Sequence, residues 1–302
     1  MRRIIAPVWL VGAALSACGQ TGAPPAFDAQ RAFEDLRAQV EIGPRPAGSD
    51  ASERTREFIR TRLRQAGWPV EEHAFEAVTP QGTRVRMVNL IATRAGASPE
   101  LLMLAAHYDT KSIPGVRFVG ANDGASGVAV LLELARALPN SDAPLGVQLV
   151  FFDGEEAFGP RIGDGDGLYG SRALAERMQS EGALHRIHTL LLFDMVADRD
   201  LNLALDLHSS PERRALLQRL AGPLVDPAQS MRVVDDHVPF LERGVRETLL
   251  LIDFQYGSRS SPGPLWHTAE DDLPGVSAES LNRVGGLAVE LVRALQGEAA
   301  AD

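Results

Sequence analysis

Val147-Gln148-Leu149-Val150-Phe151-Phe152-Asp153-Gly154-Glu155-Glu156-Ala157-Phe158 runs from an unbroken apolar stretch into two adjacent glutamates. The apolar part has the length and continuity of a strand buried on both faces, as happens where helices cover both sides of a parallel sheet. Two carboxylates then stand where that strand should end, although they repel each other and resist burial. Such a pair is tolerable where a cation neutralises one member and the other moves protons.

Similar apolar runs recur at 86–92 (RMVNLIA), 101–107 (LLMLAAH), 188–194 (HTLLLFD), 201–207 (LNLALDL) and 247–254 (ETLLLIDF). Between them lie amphipathic segments of helical spacing: FEDLRAQV, ASERTREFIRTRLRQAG, GVAVLLELARAL, GSRALAERMQ, PERRALLQRLAG and SAESLNRVGGLAVELVRAL. Ser49-Asp50 and Ser277 mark helix starts, and Gly67 marks an end. Strand and helix in alternation predict an α/β fold, a single globular domain with a twisted, mostly parallel central sheet flanked by helices. No internal repeat or shift of composition divides it.

Acidic residues outnumber basic ones 40 to 30, giving a net charge of −10, and this argues against a nucleic-acid-binding face. Near the N-terminus, Arg2 and Arg3 precede IIAPVWLVGAAL, which is too short to span a bilayer but fits the apolar region of a secretory signal. Leu15-Ser16-Ala17-Cys18 then resembles a bacterial lipobox. The expectation is a signal peptide at 1–17, a lipidated Cys18 with its linker at 18–30, and the α/β domain at 31–302. The protein would be a periplasm-facing lipoprotein of the bacterial envelope, in the outer membrane, touching the bilayer only through its lipid. Cys18 is the sole cysteine, which excludes an internal disulfide, a thiol nucleophile and a cysteine zinc site.

In open α/β sheets ligands bind at the carboxyl ends of the strands. Those ends carry His107-Tyr108-Asp109, Asp153-Gly154-Glu155-Glu156 and Asp194. Asp123, in GANDG, is expected in the first turn of the helix GVAVLLELARAL, and His267 in a loop after the last strand. His107, Asp123, Glu156, Asp194 and His267 thus form a candidate set of metal ligands of the types zinc accepts. One glutamate of the pair would ligate and the other act as general base. Asp109, two residues beyond His107, is placed to accept the second ring proton of that histidine.

The set HYD, GANDGASG, FFDGEEAFG, DGLYGSR, FDMV, DDHVPFL and LWHT occurs in that order within residues 31–295 and resembles the zinc-dependent exopeptidase superfamily. Within it the glutaminyl cyclases are most similar, and GPRPAGS (43–49) adds to the likeness. The resemblance implies one zinc held by Asp123, Glu156 and His267. It makes Glu155 the acid/base, Asp194 and Asp235 its proton-sharing partners, and Trp266 a wall of the substrate pocket. The implied substrates are peptides and proteins with N-terminal glutamine, cyclised to pyroglutamate with release of ammonia.

Two other readings stay open. A two-zinc aminopeptidase would use His107 and Asp194 as second-metal ligands, with Glu155 activating water; the third reading is a zinc-binding module without catalysis. Animal cyclases carry a tryptophan in the loop after the glutamate pair, whereas here 159–167 reads GPRIGDGDG. That segment, with Asp164 and Asp166, is expected to be a flexible pocket-edge loop. His237 reads as a structural histidine near the pocket, and His208 as a residue with ordinary surface partners.

Overall fold

The computed structural model describes residues 26–139, 143–163 and 165–301. Two helices come first, α1 (Ala29–Ile42) and α2 (Asp50–Gln65). Asp28 and Ser49 cap them by accepting the backbone N–H of Arg31 and Ser52, which satisfies donors that a helix start leaves unpaired. Then follow β1 (Val70–Val78), β2 (Arg84–Arg94), β3 (Leu101–His107), α3 (Ala125–Ala137), β4 (Gly146–Phe152), α4 (Tyr169–Ser180) and β5 (Ile187–Asp194). The rest comprises β6 (Leu203–Asp206), α5 (Pro211–Ala221), β7 (Val225–Met231), the short α6 (Val238–Glu242), β8 (Thr248–Ile252) and α7 (Ala278–Ala299).

Six strands form the central sheet in the order β1-β2-β4-β3-β5-β8. β4, β3, β5 and β8 pair in parallel, while β2 runs antiparallel to both β1 and β4. All seven residues of β3 are buried, and successive side chains serve opposite faces. Leu102, Leu104 and Ala106 pack into the core beneath α1, α3 and α7; Met103 and Ala105 pack into the one beneath α4 and α6. Helix α3 has twelve of its thirteen residues buried, so both its apolar character and its position in the middle of the larger core are explained.

Two expectations need correction. The run LNLALDL yields β6, but this strand pairs only with β7 in a separate two-stranded sheet and does not join the central one. The central sheet instead gains β1, whose residues alternate in exposure as befits an edge strand.

Candidate active site

Neighbouring parallel strands end side by side: β3 in His107, β4 immediately before Asp153-Gly154-Glu155-Glu156, and β5 in Asp194. Gly154, at φ 71°, turns the chain along this edge in the left-handed conformation that glycine adopts without steric cost. Asp123 precedes α3 and does not lie in its first turn. Gly124, at φ 96°, is the N-cap residue, so the helix begins at Ala125 and takes no side-chain cap. The Asp123 carboxylate is therefore free to meet the strand ends. Its backbone N–H and that of Asn122 donate to Asp271 at 3.1 and 2.7 Å.

His267 lies beyond β8 with φ 56°. Among the described residues three non-glycines have positive φ, and two of them are here: His267, and Met195 directly after Asp194. Such backbone costs about 1–2 kcal/mol for an ordinary side chain and persists where its surroundings enforce it.

These elements bring the five candidate ligands together. His107 Nε2 is 3.2 Å from both Asp123 Oδ1 and Asp194 Oδ1. His267 Nε2 is 3.1 Å from Glu156 Oε1 and 3.4 Å from Asp123 Oδ2. Asp123 thus belongs to two groups, Asp123–Glu156–His267 and His107–Asp123–Asp194, in each of which the ligand atoms lie within 4.8 Å of one another. Lys111 Nζ stands 3.6 Å from Glu156 Oε2 and donates to the carbonyl of Ala157. Asp109 faces the His107 ring, with Oδ1 3.6 Å from Nδ1, within ion-pair reach though longer than a hydrogen bond. Its oxygens accept the backbone N–H groups of Glu155 and Glu156, at 3.0 and 3.3 Å, because the Gly154 turn aims both at it.

The electrostatics follow from burial. Glu155 is driven well above the ordinary carboxyl range by desolvation, relieved in part by His107 and reinforced by Glu156, Asp235 and Asp236. Asp235 is pushed up to about 7 by burial and then by the neighbouring charge of Asp194. Glu156 and Asp194 are also raised, chiefly by burial, whereas for Asp123 the two histidines outweigh burial and lower it. Burial disfavours the charged form of His267, yet Asp123 and Glu156 raise it to about 9. His107 is raised well above its usual value in the same way, against its burial, by Asp109, Asp123 and Asp194. The carboxylates around both imidazoles thus favour positive charge at the centre of the donor set. Oxygen and nitrogen donors that converge with such a preference fit a divalent cation of zinc type.

A cleft of about 760 Å³, partly open to solvent, has Asp123, Glu155, Glu156, Asp194, Asp235, Trp266 and His267 among its lining residues. The Trp266 ring stacks on His267 at 3.9 Å between centroids and meets Phe254 edge-on at 5.3 Å. The expected flexible loop 159–167 is organised by Asp166, which accepts the N–H groups of Phe158 and Gly159 and the hydroxyl of Tyr169; Asp164 lies outside the described residues.

Three supports were not apparent in the sequence. Asp271 grips the Asn122-Asp123 turn and also accepts the Tyr256 hydroxyl at 2.8 Å. Arg45, fully buried, donates to the carbonyls of Tyr108, Val119 and Gly120 and so ties the start of the loop between β3 and α3 to its end. Asp206 accepts the N–H groups of His208, Ser209 and Val233 and lies 3.1 Å from His237 Nε2. With His208 and His237 it forms a further group of metal-ligand types, but its oxygens are already occupied, and it serves to latch the segment that carries Asp235. His208 is part of this latch, its Nδ1 2.8 Å from the carbonyl of Val233.

The fold is that of glutaminyl cyclases and zinc-dependent exopeptidases of known structure. Residues 89–292 match peptidase family M28, and the chain belongs to that family. A glutaminyl-peptide cyclotransferase of Drosophila melanogaster is 36% identical over 258 residues, covering 76% of this chain and 71% of that protein. The crystal structure of an Acidobacteriales bacterium glutaminyl cyclase superposes with a TM-score of 0.84 at 35% identity, covering 94% of this chain and 100% of the other. A Zn-dependent exopeptidase from Parabacteroides distasonis ATCC 8503 shares the fold, with a TM-score of 0.78 at 22% identity over 89% of this chain and 99% of that one.

Proposed function

We propose that this protein is a zinc-dependent glutaminyl-peptide cyclotransferase, which converts N-terminal glutamine of peptides and proteins to pyroglutamate and releases ammonia. Asp123, Glu156 and His267 would hold one zinc, whose Lewis acidity supplies polarisation of the substrate carbonyl. The observation that carries the reading is Glu155, a buried carboxyl with a raised pKa in the lining of the cleft, grouped with Asp194 and Asp235. A carboxyl held above its ordinary range at the wall of the cleft is placed to take up a proton from the substrate and give it back. Ring closure needs the substrate's own α-amine nitrogen to bond to the γ-carboxamide carbon while the bond to the amide nitrogen breaks. Glu155 takes the proton that the amine loses and gives it to the departing ammonia. Asp235 and Asp194 spread that charge, and Trp266 flanks the glutamine side chain.

Mass spectrometry of a glutamine-initiated peptide treated with the purified protein tests this. Loss of ammonia with no residue released is expected, with one tightly held zinc per chain. The group His107–Asp123–Asp194 favours a second reading, a two-zinc aminopeptidase in which Glu155 activates water. Release of free amino acids from peptides of varied N-termini, together with two zincs, would establish that reading instead. Retained zinc with neither reaction would leave a non-catalytic zinc-binding module.

The envelope location is also a proposal, supported by Leu15-Ser16-Ala17-Cys18, which lies outside the described residues. Among the described residues no helix is long and apolar enough to cross a membrane. Cys18→Ser should move the protein from the membrane to the soluble periplasmic fraction, since acyl chains are what would hold it. Equal membrane retention of that variant would point to another anchor.

A further inference from the structure

Charge in the cleft is segregated by depth. Every acidic residue lining it, Asp123, Glu155, Glu156, Asp194 and Asp235, is buried or half-buried. Its exposed lining residues are Pro160, Arg161, Arg232 and Val234, so both exposed charges are arginines. They come from different parts of the chain: Arg161 from the loop after the glutamate pair, and Arg232 from the segment between β7 and α6. The third cation of the cleft, Lys111, is buried and stands beside Glu156. Among the described residues neither arginine is paired with a carboxylate, and this in a chain of net charge −10.

A peptide that enters with its N-terminus first is polarised in the matching sense when an acidic side chain follows the glutamine. Its amino end meets the buried carboxylates. Successive residues extend at most about 3.3–3.6 Å each, so the second and third lie near the mouth while the first occupies the interior. We propose that Arg161 and Arg232 form a cationic subsite at the mouth that selects substrates with Glu or Asp at the second or third position and disfavours Lys and Arg there. This rests on the cyclotransferase reading, and it concerns residues remote from the reacting carbon. The selection therefore acts through binding and appears in KM, with kcat little changed between peptides.

Each guanidinium faces solvent, where an ion pair is weak and salt-sensitive. Discrimination between matched Glu and Lys peptides should be about three- to tenfold at low ionic strength and shrink as the Debye length falls from roughly 10 Å at 0.1 M to 3 Å at 1 M.

The test compares kcat/KM for Gln-Ala-Ala, Gln-Glu-Ala, Gln-Lys-Ala, Gln-Ala-Glu and Gln-Ala-Lys with the zinc-loaded protein, at 50 mM and 500 mM NaCl. The expected order is Glu over Ala over Lys, set by KM and compressed by salt. Arg232→Glu and Arg161→Glu should each reduce or reverse the Glu-to-Lys ratio. Cyclisation of Gln-Ala-Ala with no preference between Glu and Lys at low salt would overturn the subsite and leave the cyclotransferase reading standing. A preference that survives both substitutions would also overturn it. No loss of ammonia from any of the five peptides would overturn both.

Discussion

Two of the places where the protein buries acidic side chains treat them in opposite ways. Between α1 and α3, Glu133 receives Arg31 at 2.5 Å and Arg136 at 2.9 Å, and Asp35 receives Arg136 at 2.6 Å and Arg62 at 2.9 Å. Each carboxylate there is matched by guanidinium groups that stay charged, so its partners are fixed once the chain folds. At the sheet edge Asp123, Glu155, Glu156, Asp194 and Asp235 meet two histidines and one lysine, and Arg45 reaches only carbonyls. Beyond the one lysine beside Glu156, their charge is left to protons or a metal, both of which can exchange. What separates a structural acid from a working one is therefore the permanence of its partner rather than its depth.

The largest effect should come from breaking the working set at Glu155. Glu155→Gln keeps the shape and leaves Asp123, Glu156 and His267 to hold metal, but it removes the group that moves the proton. Loss of a positioned acid/base group typically costs about 10²–10⁴-fold in rate. Turnover of a glutamine-initiated peptide should fall by that factor while zinc per chain, measured by elemental analysis, stays near the unmodified value. Glu156→Gln should lower both. If the two variants exchange behaviours, the roles within the glutamate pair are reversed.

The structural set should fail in the other way. Glu133→Gln leaves Arg31 without this counter-charge and Arg136 with Asp35 alone, and breaking a fully buried pair by removing one partner typically costs about 3–5 kcal/mol. Arg31 is partly exposed and Arg136 keeps Asp35, so denaturant unfolding should show a smaller loss, about 1–2 kcal/mol. Turnover per folded molecule should be unchanged. A large loss of turnover with no loss of stability would mean that the two acidic clusters are coupled through α3.

Much of this contrast could be read from the chain, and the reason is local. β3, β4 and β5 are unbroken apolar runs, so their carboxyl ends could be located, and His107, Glu155, Glu156 and Asp194 with them. β1, VEEHAFEAV, alternates with charge on an edge, and β7, VDPAQSM, carries a proline and little apolar mass, so neither announces itself as a strand. The supporting residues were hidden for another reason. Asp271 holds Asn122 from 149 positions away, and Arg45 reaches Tyr108, Val119 and Gly120 across 63 to 75 positions, each through backbone groups that carry no residue signature. Asp109 was legible only in part: its spacing to His107 places it 3.6 Å from the ring, but the two N–H donors that the turn at Gly154 presents to it carry no signature in the sequence.

The smallest effect concerns a buried acid of neither kind. Asp253, just after β8, is matched by no arginine and lies outside the metal-ligand groups; it accepts the N–H groups of Asn202 and Gln255 at 2.7 and 3.0 Å. Burial outweighs those bonds and pushes its carboxyl up to about 7, with Asp198 and Asp200 adding to the shift. In the unfolded chain an aspartate ionises near 3.9, so between about pH 4 and 7 the folded state binds the extra proton. Its contribution to stability is thus fully present below pH 4 and declines as the pH rises toward 7. Asp253→Asn cannot ionise and keeps one acceptor oxygen, so its stability should fall less across that window, by on the order of 1 kcal/mol, in urea unfolding at pH 4.5, 5.5 and 7. Parallel curves for the two proteins would show that Asp253 is ionised throughout the range, and that two backbone donors suffice to stabilise a buried carboxylate without a cation.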